Sequence, residues 1–299
     1  MLIYVDVNMA EINYNEIFDL MDRAKDIFKE NKTVAGVYKV RKVAFVGDTH
    51  GALDVTQYVF NEIFDKVDLL VFLGDYVDRE PQLGIENLML ILQKFLENRD
   101  KIVILRGNHE SPITNMYYGF YDEVSVKFGD EKVYEKFKEF FSYMPYVAIV
   151  NNYFCVHGGL PGKVTNDSQM SLAIHSIDEV LSLPYPDIEP SDPTAFQLLW
   201  NDPREGLDDF GFLPNIRGEG TYYYGEKIVK EFLDSTGYSG IIRGHEAVDG
   251  FRIDMNKKVI TVFSSRYHGQ SAGVLLMDEN KIKRIYLHLD GSISSFDGL

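Results

Sequence analysis

Cysteine is nearly missing from this chain. Its 299 residues include one, Cys155, so no intrachain disulfide framework can form. None is needed, because a chain of this length can bury about three quarters of its extended surface. Long apolar runs are missing too. No stretch reaches the ~18 apolar residues of a membrane-spanning helix. The opening segment, Met1 to Ala10, holds Asp6 and lacks a basic stretch followed by an apolar core, so it does not read as a signal peptide. The expected location is therefore the cytoplasm. Basic charge is in short supply, with 30 Lys and Arg against 46 Asp and Glu and a net charge of −16. That balance argues against nucleic acid or an anionic membrane as a general partner. The composition that remains, 45% apolar and 25% charged, suits a folded protein. With no repeat, low-complexity tract or linker, one domain over 1–299 is expected, with a helical lead-in over 1–40 and a core over 41–290.

Periodicity gives the coarse organisation. Ile17, Phe18, Met21, Ala24, Ile27 and Phe28 recur at helical spacing. Three short apolar runs follow, Val43–Val46, Leu69–Leu73 and Ile102–Leu105, separated by helix-like intervals at 53–64 and 83–96. That order predicts two βαβ units and a parallel sheet covered on both faces. Residues 133–143 read as a helix and Asn151-Asn152 as a tight hairpin turn. Short strand candidates around 146–150, 153–156, 240–242, 259–263, 273–277 and 284–287 predict a second, more antiparallel sheet. The stretch 160–214 carries seven prolines and is expected to be largely loop.

The apolar runs end on chemistry. Gly47-Asp48-Thr49-His50-Gly51 follows the first, Gly74-Asp75-Tyr76-Val77-Asp78-Arg79 the second and Arg106-Gly107-Asn108-His109-Glu110 the third. His157-Gly158-Gly159 and Arg243-Gly244-His245 follow later runs. Ligands of α/β sheets bind beyond the carboxyl ends of the strands. Any one of these clusters alone reads as ordinary turn chemistry or a buried core histidine; their conjunction points to a site. Carboxylate, imidazole and amide donors without thiolate suit Mn, Fe or Zn. There are enough donors for two ions: Asp48, His50 and Asp75 for one, and Asp75, Asn108, His157 and His245 for the other, with Asp75 bridging. Two such ions ~3.5–4 Å apart, sharing a water, make hydroxide available at neutral pH and stabilise an in-line phosphoryl displacement.

Those five motifs, continued by Leu198-Leu199-Trp200-Asn201-Asp202-Pro203, Arg217-Gly218 and Phe263-Ser264-Ser265-Arg266-Tyr267, resemble the phosphoprotein phosphatase (PPP) family of serine/threonine phosphatases, within the metallophosphoesterase superfamily. The resemblance covers about 40–290. It implies an α/β fold, a four-layer α/β/β/α sandwich, and a cytoplasmic phosphatase of phosphoserine and phosphothreonine monoesters. It implies direct attack by a metal-bridging hydroxide, with no phosphoenzyme and Mn2+ as the expected ion pair. His109 would be the general acid and Asp78 its positioning partner. Arg79, Arg217 and Asn108 would bind phosphate oxygens, Tyr267 would line the cleft, and Arg243 would lie in the substrate region. The expected partners are phosphorylated proteins or peptides, with basic flanks favoured by the acidic chain.

The sequence departs from the family pattern at Glu80, where glycine is usual, and at Ser264–Gly269, a loop about one residue short that carries Arg266 and His268. The segment 291–299 is short and polar, so no regulatory tail is expected. A dinucleoside polyphosphate hydrolase or other small-molecule metallophosphoesterase would share the metal ligands. Trp200, Arg217 and Tyr222-Tyr223-Tyr224 favour the protein phosphatase. A catalytically dead phosphoprotein-binding module predicts loss of a ligand or of the acid, and all are present.

Overall fold

A computed structural model describes residues 14–79, 81–166, 168–207, 210–279 and 281–299. The expectations for Met1–Ala10 and Glu80 lie outside these. In chain order, α1 (Tyr14–Asn31), β1 (Val34–Tyr38), β2 (Lys42–Val46), α2 (Leu53–Tyr58), β3 (Leu69–Phe72), α3 (Gly84–Glu97) and β4 (Ile102–Ile104) come first. Then follow α4 (Pro112–Tyr118), α5 (Phe120–Phe128), α6 (Glu131–Ser142), β5 (Val147–Val150) and β6 (Tyr153–Val156). The middle of the chain holds β7 (Gly162–Val164), β8 (Met170–Leu172), α7 (Ile177–Leu181), α8 (Pro193–Trp200), β9 (Asp202–Pro203), β10 (Phe212–Pro214), β11 (Tyr222–Tyr224) and α9 (Glu226–Thr236). It ends with β12 (Gly240–Arg243), β13 (Phe251–Asp254), β14 (Val259–Val262), β15 (Ala272–Asp278), β16 (Lys281–Leu287) and β17 (Ile293–Asp297).

Alternation along the strands builds four layers. One six-stranded sheet runs β17-β16-β15-β2-β3-β4 and the other β1-β5-β6-β12-β14-β13. Val43, Phe45, Leu69 and Val71 of the first sheet share a core with Ala148, Val150, Cys155, Ile242 and Ile260 of the second. Their neighbours Ala44, Val46, Leu70 and Phe72 turn the other way, beneath α1, α3, α5 and α6. On the far side Val147, Ile149, Phe154 and Ile241 pack beneath α7, α8 and α9. Period-two strands with both faces apolar fit a sheet with a layer on each side. The α/β/β/α sandwich is thereby realised. Phe28 ties α1 to this body, its ring 5.5 Å from Phe95 and 5.8 Å from Phe140.

The two βαβ units are present, with β2 parallel to β3 and β3 to β4. The Asn151-Asn152 turn is present too, both residues at positive φ (47° and 67°). Two expectations need correction. The lead-in is not helical throughout, because β1 pairs in parallel with β5. The second sheet is mixed: β12 runs parallel to both β6 and β14, while β15 and β16 join the first sheet through antiparallel pairing of β15 with β2. The proline-bearing stretch 160–214 is largely loop as expected, a little more than half of its described residues lying outside helix and strand, and its longest regular element is α8. Pro193 occupies the first turn of α8, where a missing N–H costs nothing, and the Asp192 carboxylate accepts from the Thr194 and Ala195 amides.

Candidate active site

The loops after β2, β3, β4, β6 and β12 meet at one end of the sandwich. Asp75 is at the centre. Its Oδ2 lies 3.3 Å from His157 Nε2, 3.5 Å from His50 Nε2 and 3.9 Å from His109 Nε2. Its Oδ1 accepts the His109 amide at 2.9 Å. Asp48 Oδ1 accepts the His245 amide at 2.8 Å, and Asp48 Oδ2 stands 3.9 Å from His50 Nε2. Asn108 Oδ1 is 2.9 Å from His157 Nε2. All of these side chains are buried. Reaching this arrangement requires left-handed backbone at five non-glycine residues: His50, Asp75, Asp78, Arg79 and His245, with φ between 44° and 72°. Such conformations are rare outside glycine and cluster at functional sites.

Glycines make the room. A Cβ on Gly107 would sit 2.1 Å from Asp75 Oδ1, and one on Gly244 would sit 2.4 Å from Asp48 Oδ1. These two glycines thus serve the carboxylates as much as the turns.

Backbone carbonyls orient the imidazoles. His50 Nδ1 donates to Val77 O at 2.8 Å and His157 Nδ1 to Leu73 O at 2.9 Å. His245 uses Nε2, donating to Trp200 O at 3.2 Å. That leaves one further nitrogen on each ring for a cation, the usual arrangement for metal-binding histidine. Burial, joined by the neighbouring charges of His109 on His50 and of Arg217 on His245, holds both rings well below the ordinary histidine value. Burial pushes Asp48 up to about 6 against the pull of His157. Burial also opposes ionisation of Asp75, yet His157, His109 and His50 hold it well below the carboxylate range. His50, Asp75 and His109 offer ligand atoms within 4.8 Å of one another, as do Asp75, His157 and His245. Buried imidazoles and carboxylates around a shared aspartate fit two divalent cations, and Asp48 is placed to join the first group.

His109 differs from the other rings. Its Nδ1 donates to Asp78 Oδ2 at 2.7 Å. Asp78 is itself fixed by the Asn115 amide at 3.0 Å and the Phe120 amide at 2.8 Å. Burial disfavours its charged form, but Asp75 and Asp78 outweigh that and raise its pKa.

A cleft of about 190 Å3 opens over these groups, and Arg79, Arg217, Tyr118, Trp200 and His268 also line it. The Arg79 guanidinium rests on the Tyr118 ring, 4.0 Å from its centroid. Arg217 Nε binds Asp202 at 2.5 Å, and its Nη2 reaches His245 O at 3.2 Å. Two expected residues are elsewhere. Arg243 is fully buried and satisfied by Gly158 O, Asn201 O, Asp202 and Glu246, so it braces the site from behind and cannot meet substrate. Tyr267 turns outward, its hydroxyl donating to Asp54 at 2.9 Å, and His268 takes the cleft position instead. Sequence reasoning also missed Tyr118, Asn115 and Glu110. Glu110 accepts the Asp75, Tyr76 and Gly107 amides, each at 2.8 Å, and its place beside Asn108-His109 was the available signal.

A cleft floored by cation-suited donors and walled by arginines belongs to the class of metal-dependent hydrolases acting on anionic esters. The chain belongs to the calcineurin-like phosphoesterase family, whose model matches residues 41–249. Among solved structures it is similar to a protein serine/threonine phosphatase from Saccharomyces cerevisiae, at 24% identity and a TM-score of 0.79, over 96% of this chain and 91% of that one. It is also similar to a cold-active protein-tyrosine phosphatase of a Shewanella species, at 20% identity and a TM-score of 0.58, over 87% and 81%. These likenesses carry the fold, and the family carries phosphoester hydrolysis.

Proposed function

We propose that the protein is a serine/threonine protein phosphatase of the PPP branch, acting as one catalytic domain on phosphoserine and phosphothreonine peptides. The observation that carries this reading is the convergence of His50, His109 and His157 on one oxygen of Asp75, beneath a cleft walled by Arg79 and Arg217. Asp48, His50 and Asp75 would hold one cation, and Asp75, Asn108, His157 and His245 the other, with Mn2+ as the proposed metal. When bound, such a pair supplies Lewis acidity and an acidified water. Arg79, Arg217 and the Asn108 amide orient the phosphoryl oxygens in the cleft. His109, held by Asp78, protonates the leaving serine or threonine oxygen. Cys155 is buried in β6, and burial raises its thiol pKa, so it supports no thiol-phosphatase chemistry.

The motif set from Leu198 to Arg217 supports protein over nucleotide substrates. Among the described residues, no helix is long and apolar enough to cross a membrane; we propose a cytoplasmic setting. The test compares kcat/KM of the Mn2+-loaded protein on phosphoserine, phosphothreonine and phosphotyrosine peptides, with neutral or Lys/Arg flanks, and on a dinucleoside polyphosphate. Preference for the phosphoserine or phosphothreonine peptides is expected. Preference for the dinucleotide overturns the reading, and preference for phosphotyrosine reassigns the substrate.

A further inference from the structure

The short loop after β14 brings an extra imidazole into the cleft, and the loop's own side chains tie it down. At its root, Ser264 Oγ accepts the Gly47 amide at 2.8 Å and donates to Gly273 O at 2.6 Å, fixing the loop to the end of β2 and the start of β15. Beyond that, Arg266 and Tyr267 both reach the carboxylate of Asp54 in the first turn of α2. Arg266 Nη2 pairs with Oδ2, and the Tyr267 hydroxyl donates to Oδ1 at 2.9 Å. With its neighbours drawn outward, His268 points inward. Its ring lies 5.1 Å from the His50 ring and 5.4 Å from the Phe263 ring, and it lines the cleft with Arg79 and His109. Its Nδ1 is engaged by the Ser265 hydroxyl at 3.0 Å, which leaves Nε2 as the ring's remaining hydrogen-bonding atom.

Its partner on the loop is thus a neutral hydroxyl, and its charged neighbours in the cleft are Arg79, His109 and Asp75. An incoming phosphoryl group supplies the acceptor that this environment favours. We propose that His268 donates through Nε2 to a phosphoryl oxygen of substrate and product, and that Asp54, acting through Arg266 and Tyr267, is the positioning residue that holds it there. The inference rests on the phosphatase reading above and narrows it to one further contact. Arg79 and His268 then grip the phosphoryl group together.

Inorganic phosphate is the probe, titrated calorimetrically into Mn2+-loaded protein, so that the readout needs no turnover. His268→Ala should weaken phosphate binding about ten-fold, the scale of one hydrogen bond to a charged group. His268→Gln, which restores an N–H near the Nε2 position, should recover most of that loss. Asp54→Ala should weaken binding about three- to ten-fold, and the double variant should be no weaker than His268→Ala within about two-fold, because coupled residues are not additive. Metal content should equal that of the unsubstituted protein throughout. Phosphate binding unchanged in His268→Ala overturns the contact. Losses that multiply in the double variant overturn the tether. An unsubstituted protein that binds phosphate but ignores phosphopeptides refutes the substrate reading without touching this one.

Discussion

Replacing His109 by Asn tests the division of labour in the cleft. The imidazole is held by a 2.7 Å bond from Nδ1 to Asp78, which is anchored by the Asn115 side chain and the Phe120 amide. A ring so fixed, with its pKa raised by Asp75 and Asp78, carries a proton to the leaving oxygen. Losing a positioned acid costs about 10²–10⁴ in rate, or about 3–5 kcal/mol of barrier. A serine alkoxide needs that proton, whereas p-nitrophenolate leaves without it. His109→Asn should therefore lower kcat on a phosphoserine peptide by about 10²–10⁴, and on p-nitrophenyl phosphate by at least ten-fold less. Because His109 Nε2 is only 3.9 Å from Asp75 Oδ2, metal content is measured alongside. Equal losses on both substrates at unchanged metal content would refute the acid assignment.

Cys155→Ala should leave turnover unchanged, since the thiol is buried between the sheets; a collapse of kcat in a folded variant would restore thiol chemistry to the discussion. Gly107→Ala places a methyl carbon 2.1 Å from Asp75 Oδ1, and metal affinity should fall about 10–100-fold, as for groups that orient ligands; competition with a chelating dye reads this out. Glu123 accepts the Gly84 and Ile85 amides at the start of α3, and burial pushes its pKa up to about 7 from 4.5. Below pH 4.5 both folded and unfolded chains keep its proton; between 4.5 and 7 only the folded chain does, so this residue makes stability fall as pH rises. Glu123→Gln removes that slope, and its Tm relative to the unsubstituted protein should climb between those pH values; a constant difference would contradict the assignment.

How much of this was legible depends on the range of the interaction that decides each feature. Strand ends are local, so Asp48, Asp75, Asn108 and His109 could be placed from their apolar runs. Strand partners are not: nothing near Gly273–Met277 announces antiparallel pairing with Lys42–Val46, more than two hundred residues away. β1 is hidden in the lead-in because Val34–Tyr38 holds a glycine and follows α1 after only two residues. Prolines misled where Pro193 starts a helix rather than breaking one. Arg243 and Tyr267 failed for a shared reason. Both flank cleft residues in sequence, but a carboxylate far along the chain helps settle where each long side chain points, Asp202 for Arg243, together with the nearby Glu246, and Asp54 for Tyr267.

The most direct test is to locate the cations. Crystals of the Mn2+-loaded protein, measured at the manganese absorption edge, should show two anomalous peaks ~3.5–4 Å apart, one on each side of the Asp75 carboxylate, and Asp75→Asn should remove both. A fully active protein with one peak, or with none near Asp75, would contradict the account.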